Sequence, residues 1–332
     1  MRQPFVPSPV DRVEILSVVD NVCDLLLMDT EVARRIGPVN LSGGLPLMEA
    51  PLLEAGTCAD APVAEHGLSF LVSVFAGETR RTLLFDTGSS VTALTHNLRV
   101  MGADPHAIEA IVLSHGHFDH TTGLNGLVGT LDPLPPLVVH PDVWLRRRVA
   151  IPGRQPWELP TTSEEKILAA GFPVIESRAP SKWLDGAIVV TGEIERGTDF
   201  EHGLPVHEAF RDGAWTPDPL LHDDQAVIAN LDGKGLVVIT GCSHAGVINT
   251  IRFARTITGI DRVHAVLGGF HLSGMLYEHI IPHTVEALRE IGPRVIAPSH
   301  CTGMRATHAL AEAFPTEFVP SSVGTRYVFA RG

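Results

Sequence analysis

Basic residues are scarce in this chain. Its 332 residues include 25 Lys or Arg against 38 Asp or Glu, a formal net charge of -13 with histidine neutral. A sequence-independent grip on nucleic acid needs cations to neutralise phosphates, so no nucleic-acid partner is expected. The one basic run, Arg146-Arg147-Arg148, reads as a solvated face, with a contact for a single anionic substrate group as the alternative. Long apolar runs are missing as well. None approaches the roughly 18 residues of a spanning helix, which argues against membrane insertion. The start, Met1-Arg2-Gln3-Pro4-Phe5-Val6-Pro7, lacks the basic-then-apolar layout of a secretory signal. Four cysteines, Cys23, Cys58, Cys242 and Cys301, are too few for a disulfide scaffold in a chain this long. These absences predict a cytoplasmic protein that handles a small-molecule substrate.

Apolar residues make up 44% of the chain and charged residues 19%, an ordinary globular balance. A chain of this size buries roughly 75% of its unfolded surface, so a large core forms without staples. Short apolar runs read as strands at 13–19, 69–74, 81–85, 111–113, 235–240, 263–267 and 294–297. Asp104-Pro105 is a helix start, a capping residue followed by proline. A helix is expected over His283 to Ile291, with Val285, Leu288 and Ile291 as its apolar stripe and Gly292-Pro293 as its stop. Residues 141–220 change character: proline, glycine and Trp144, Trp157, Trp183 and Trp215 crowd a stretch of weak periodicity, with one helix expected at 162–171. The fold class is α/β, a single domain over 1–332, with 141–220 expected to be an insertion or lid.

Three imidazoles and a carboxylate occupy six positions in Ser114-His115-Gly116-His117-Phe118-Asp119-His120. Packing does not call for that pattern; a transition-metal site does, because neutral imidazole and carboxylate suit divalent ions. The cluster follows the apolar run Ile111-Val112-Leu113, so it sits on a loop leaving a buried strand. Alternate residues of an extended chain point the same way, which lets His115 and His117 grip one ion while Asp119 and His120 turn toward a second. Among the 17 histidines, His96, His106, His207 and His222 are isolated in sequence. Other strand ends carry histidines in small-residue turns: Ser243-His244, Phe270-His271 and Ser299-His300. Ligands gather where strands end in α/β proteins. Two ligand sets follow, His115, His117 and His244, then Asp119, His120 and His300. Three protein ligands per ion leave a position open for water, the mark of a catalytic site.

The segment 114–120 resembles the His-x-His-x-Asp-His signature of the metallo-β-lactamase superfamily, and Phe85-Asp86-Thr87-Gly88 resembles its first motif. His244 and His300 stand where its later ligands fall. Glu65-His66-Gly67-Leu68-Ser69, Thr191-Gly192-Glu193-Ile194-Glu195-Arg196, Gly241-Cys242-Ser243-His244, Gly268-Gly269-Phe270-His271-Leu272 and Ser299-His300-Cys301-Thr302-Gly303 resemble one branch of it. That branch is labelled dihydropteroate-synthase-like, or 7,8-dihydropterin-6-methyl-4-(β-D-ribofuranosyl)-aminobenzene-5'-phosphate synthase. The resemblance implies a four-layer αβ/βα sandwich with a two-ion site at the sheet edge, zinc being expected and manganese or iron the alternatives. It also exposes a departure. Most two-metal members carry a bridging aspartate after the strand following His244, where this chain has Gly268-Gly269-Phe270-His271. His271 is therefore a candidate ligand, general acid or substrate contact.

The remaining features take duller readings. Asp86-Thr87-Gly88 looks like an aspartic-protease loop, but that chemistry needs a second carboxylate partner and no second such loop occurs. Asp86 is instead expected to orient ligand-bearing loops through hydrogen bonds. Gly241-Cys242-Ser243-His244-Ala245 fails as a serine-hydrolase elbow, since alanine stands where glycine is required. Cys242 and Cys301 read as small residues filling tight turns rather than as soft ligands or a redox pair. His66, Glu193, Arg196 and Glu201 either line the pocket or anchor the insertion. The expected function is a metal-dependent hydrolase in which a metal-bound hydroxide attacks an ester or phosphoester and Asp119 helps to bind and orient it. The alternatives are a transfer enzyme acting on a pterin-like or aminobenzoate/ribose-phosphate substrate, and a non-catalytic metal or ligand sensor whose open positions are blocked.

Overall fold

Apolar runs of five to eight residues bury both faces only when sheets are covered on both sides, and that requirement shapes the whole architecture. The computed structural model describes residues 4–37 and 45–332. One sheet has eight strands in the order Val174–Glu176, Leu137–Val139, Ala110–Val112, Thr79–Phe85, Ser69–Ala76, Arg12–Val19, Arg326–Ala330 and Ala33–Arg34. The first four run parallel and the rest alternate. The second sheet runs Ser181–Trp183, Ile188–Val190, Val227–Leu231, Gly235–Thr240, Val263–Gly269 and Val295–Ser299, with Pro9–Val10 added beside Val227–Leu231. Its last three strands are parallel.

The inner faces of the two sheets meet in one core, where Ile15, Phe70, Val72, Leu83 and Phe85 join Val190, Val227, Val237, Ile239 and Leu267. The outer face of the first sheet packs Leu16, Leu71, Leu84 and Ile111 against Leu94, Leu98, Leu124 and Leu127 of two helices. The outer face of the second sheet packs Val266 and Ile296 against Val247–Thr258, Ile281–Ile291 and Met304–Ala313. This is the expected four-layer αβ/βα sandwich. The helix expected from His283 begins two residues earlier, with Pro282 in its first turn, and stops at Gly292 in the left-handed region. Asp104-Pro105 opens only a 3-10 turn over Pro105–Ala107, its carboxylate accepting from the His106 N–H.

The strands of 141–220 divide among three sheets. Strands Val174–Glu176 and Ile188–Val190 complete the two main sheets. A separate four-stranded sheet is built from Trp157–Glu158, Arg147–Val149, His207–Arg211 and Ala214–Pro217. Weak periodicity concealed these because each strand is two to five residues long. The basic run is corrected. Strand alternation turns Arg147 inward, 2% exposed, where it pairs with Asp223 at 2.7 Å and Asp218 at 3.1 Å. Its outward neighbours Arg146 and Arg148 pair with Glu158 and Glu208. Among the described residues, no helix is long and apolar enough to cross a membrane.

Candidate metal centre

The carboxyl ends of the parallel strands from both sheets converge at one edge of the sandwich. Asp86 leaves Thr79–Phe85, the segment 114–120 follows Ala110–Val112, and loops after Gly235–Thr240, Val263–Gly269 and Val295–Ser299 bring His244, His271 and His300. Asp86, Ser243, His271 and His300 all hold positive φ, between 44° and 60°. Non-glycine residues rarely adopt such backbones, and those that do cluster where surrounding structure holds a site in place. At Gly116 a side chain is impossible, since a Cβ would lie 2.3 Å from the Val143 carbonyl oxygen.

Hydrogen bonds to the far ring nitrogens set the tautomers. Asp86 accepts from the Ser114 N–H at 2.6 Å, the Ser114 hydroxyl at 2.7 Å and His120 Nδ1 at 2.7 Å. With its proton given to Asp86, the Ser114 hydroxyl accepts from His115 Nδ1 at 2.8 Å. Asn21 Oδ1 accepts from His300 Nδ1 at 2.9 Å, and the Asn21 amide donates to His66 Nδ1 at 3.3 Å. His115 and His300 are thereby left with Nε2 as the free lone pair, the arrangement that orients a metal ligand, and His120 directs its Nε2 at Cys242 Sγ, 3.2 Å away. His115 Nε2, His300 Nε2 and both ring nitrogens of His244 are buried with no hydrogen-bond partner. Buried nitrogens left so are costly unless something coordinates them, so the residues fit bound divalent ions.

Two donor sets form. Donor atoms of Asp119, His120, His300 and Cys242 lie within 4.8 Å of one another, as do those of His115, His244 and Cys242. His117 packs its ring 4.6 Å from that of His115 and 4.8 Å from that of His244, while its Nε2 lies 3.2 Å from His207 Nε2. His117 therefore stands beside the His115 and His244 rings without a donor atom in either set. His271 lies in neither set. Its ring is 4.3 Å from that of His244 and 4.5 Å from that of Tyr277, and its donor atom groups with Cys242 and Cys301.

The metallo-beta-lactamase superfamily model matches residues 65–256, a range that holds Asp86, the histidine cluster and His244. The chain belongs to the metallo-beta-lactamase superfamily. It is 32% identical over 259 residues to the 7,8-dihydropterin-6-methyl-4-(beta-D-ribofuranosyl)-aminobenzene-5'-phosphate synthase of Methanocaldococcus jannaschii, covering 77% of this chain and 87% of that protein. A second, uncharacterized protein of that organism is 31% identical over 79% of this chain and 92% of its own length. The crystal structure of a metal-dependent hydrolase of the beta-lactamase superfamily shares the fold at TM-score 0.69 and 22% identity, covering 96% of this chain and all of that one.

Electrostatics leave most of the candidate donors free of protons. Burial, and then repulsion among the rings, holds His115, His117 and His244 well below the usual imidazole range, so all three are neutral. Burial opposes the charge on Asp119, but His120, His300 and His66 outweigh it and keep the carboxylate ionised. Burial likewise opposes the charge on His120, yet Asp86 and Asp119 push it up to about 9. An ion bound there would have to replace a proton.

Several participants were hidden in the sequence. His207 is no isolated histidine; burial and then Arg147 bring it down to about 4 beside His117. Asp20 and Asn21 hold the His300 loop, the former accepting the His300 N–H at 3.0 Å. Of His66, Glu193, Arg196 and Glu201, only His66 reaches the donors, its Nε2 3.5 Å from Asp119 Oδ2. Glu201 caps the helix Val247–Thr258 through the N–H groups of Ile248 and Asn249. Arg196 donates to the His244 carbonyl at 2.9 Å, and Glu193 pairs with His222 at 2.8 Å. These three anchor loops. Glu201 and Arg196 lie more than 40 residues from their partners, beyond any local pattern.

Proposed function

We propose that the protein is a metal-dependent hydrolase acting on an ester or phosphoester of a small molecule, with two divalent ions, zinc in the first place. The observation that carries this reading is a cavity of about 490 Å³ that opens onto His117, Asp119, Cys242, His244, His271 and His300. Ligands that face such a cavity leave coordination positions for water and substrate, as a catalytic site requires and a blocked sensor does not. His115, His117 and His244 would hold one ion and Asp119, His120 and His300 a second, and such ions would supply an activated water and charge to offset the developing oxyanion.

The chain's own residues do the rest. Asp119, ionised and approached by His66 and His300 at 3.5 and 3.3 Å, orients the attacking group. His271 lines the cavity and stands beside His244, placed to protonate the leaving oxygen. Trp157 and Phe118, edge-to-face at 6.3 Å, give the cavity an apolar wall for a substrate ring. Among the described residues no Lys or Arg lines it, which favours a neutral or singly charged ester over a dianionic phosphate.

The second reading is transfer on a pterin-like or aminobenzoate/ribose-phosphate substrate, favoured by the name of the 32%-identical relative. Elemental analysis with a panel of aryl phosphodiesters, lactones and pterin substrates separates the two. About two ions per chain, with ester turnover that a chelator abolishes, is the expected result. Bound ions with no turnover of any ester, but with pterin-dependent product, overturn hydrolysis in favour of transfer.

A further inference from the structure

Cys242 is the one residue whose donor atom belongs to every cluster at the centre. Its Sγ lies 3.2 Å from His120 Nε2. It is within 4.8 Å of the donors of Asp119, His120 and His300, of those of His115 and His244, and of those of His271 and Cys301. The residue is 3% exposed and cannot swing away. On one side, Gly241 leaves no room for a Cβ, which would sit 2.1 Å from Ser114 Oγ. On the other, a Cβ on Gly269 would lie 3.3 Å from the Cys242 Cα and 2.5 Å from Cys301 Sγ. Both glycines let the chain close around the sulfur. The buried nitrogens of His115, His244 and His300 without partners surround the same point.

We propose that Cys242 is a metal ligand shared by the two ion positions, its thiolate standing between the His115/His244 set and the Asp119/His120/His300 set. The inference rests on the two-ion reading above. Distances allow it: metal–sulfur bonds of about 2.3 Å to each of two ions span the roughly 3.5–4 Å that separates paired catalytic ions. Charge asks for it as well. Among the described residues Asp119 is the only carboxylate in the two donor sets, so two dications facing imidazoles are balanced by one anion without the sulfur and by two with it. On loading, the thiol proton is released to solvent and two metal–sulfur bonds form. Cys301, half-buried, with its Sγ 3.4 Å from the Cys242 carbonyl oxygen, supports that loop without joining either set.

The test is a titration of chelator-treated protein with cobalt(II), reading the thiolate-to-metal charge-transfer band in the wild type, in Cys242→Ser and in Cys301→Ser. The expected result is a wild-type band that keeps changing through the second equivalent. It survives in Cys301→Ser and is lost in Cys242→Ser, whose cobalt affinity falls at least about tenfold. A band that saturates at one equivalent overturns the sharing, and a band that survives in Cys242→Ser overturns the assignment. Two ions bound by wild type with no band at all, and ester turnover intact, sink this inference while leaving the hydrolase reading standing. Wild type that binds no ion removes both. The wild-type spectrum needs no variant, so misfolding of Cys242→Ser does not spare the proposal.

Discussion

Replacing Asp86 by Asn tests whether a carboxylate that touches no ion controls the affinity of the centre. Asp86 is fully buried and accepts three hydrogen bonds, two from Ser114 and one from His120. Its φ of 60° is one that asparagine adopts as readily as aspartate, so the backbone is not the variable. The amide keeps one acceptor oxygen and turns an NH2 toward groups that already donate. Two charge-assisted bonds weaken, at about 1.5–3 kcal/mol each, and a fold-stability loss of roughly 3 kcal/mol follows. Loss of the Nδ1 partner also frees the His120 ring, which lowers affinity at the Asp119/His120/His300 set by about 10–100-fold. Urea denaturation and competition with a metal-binding dye read the two effects separately. The pH dependence adds a third check. The pKa of His120 is raised to about 9 in the metal-free chain, so its contribution to stability is present below about 6.5 and is lost as pH rises through 9. The Asn variant flattens that slope. An unchanged denaturation midpoint, unchanged affinity and an unchanged slope would refute the reasoning.

Two further outcomes follow from buried charge elsewhere. Arg147→Ala leaves Asp223 and Asp218 without their buried cation and is expected to cost about 3–5 kcal/mol in urea denaturation. It also weakens metal binding, because Asp223 holds the Gly116 N–H at 2.8 Å; a loss below about 1 kcal/mol contradicts both statements. His264, 9% exposed, is brought down to about 4 by burial and then by Lys234, Arg262 and Arg294. A depressed imidazole gives stability that is present above about 6.5 and lost as pH falls through 4, roughly 3 kcal/mol in all. His264→Gln should remove that part of the acid slope in a comparison of unfolding at pH 7 and pH 4, and an identical slope would count against it.

What could be read directly was local. His115, His117, Asp119 and His120 lie within six positions, and a strand end throws such residues to one side whatever the rest of the chain does. The buried strands at 235–240 and 263–269 announced themselves because a strand covered on both faces is apolar throughout. The short strands of 141–220 did not, since two or three residues carry no period. Nor did the supports of the site. Asn21 meets His300 across 279 residues and Asp86 meets His120 across 34.

Cysteine and arginine show the same division more sharply. Composition makes Cys242 a small apolar residue and Arg147 part of a charged face, and both descriptions are true of the residue types. Their roles follow from position: a sulfur enclosed by two glycine-tight turns amid five donors, and a guanidinium turned inward onto two carboxylates. By itself the sequence determined the superfamily and the α/β layering and singled out candidate metal ligands, because periodicity and ligand spacing are properties of a short stretch of chain. Which nitrogen a histidine leaves free, which thiol lies within reach of both donor sets and which charges are buried were decided only by the tertiary structure, because each depends on groups that meet when distant segments close on one sheet edge.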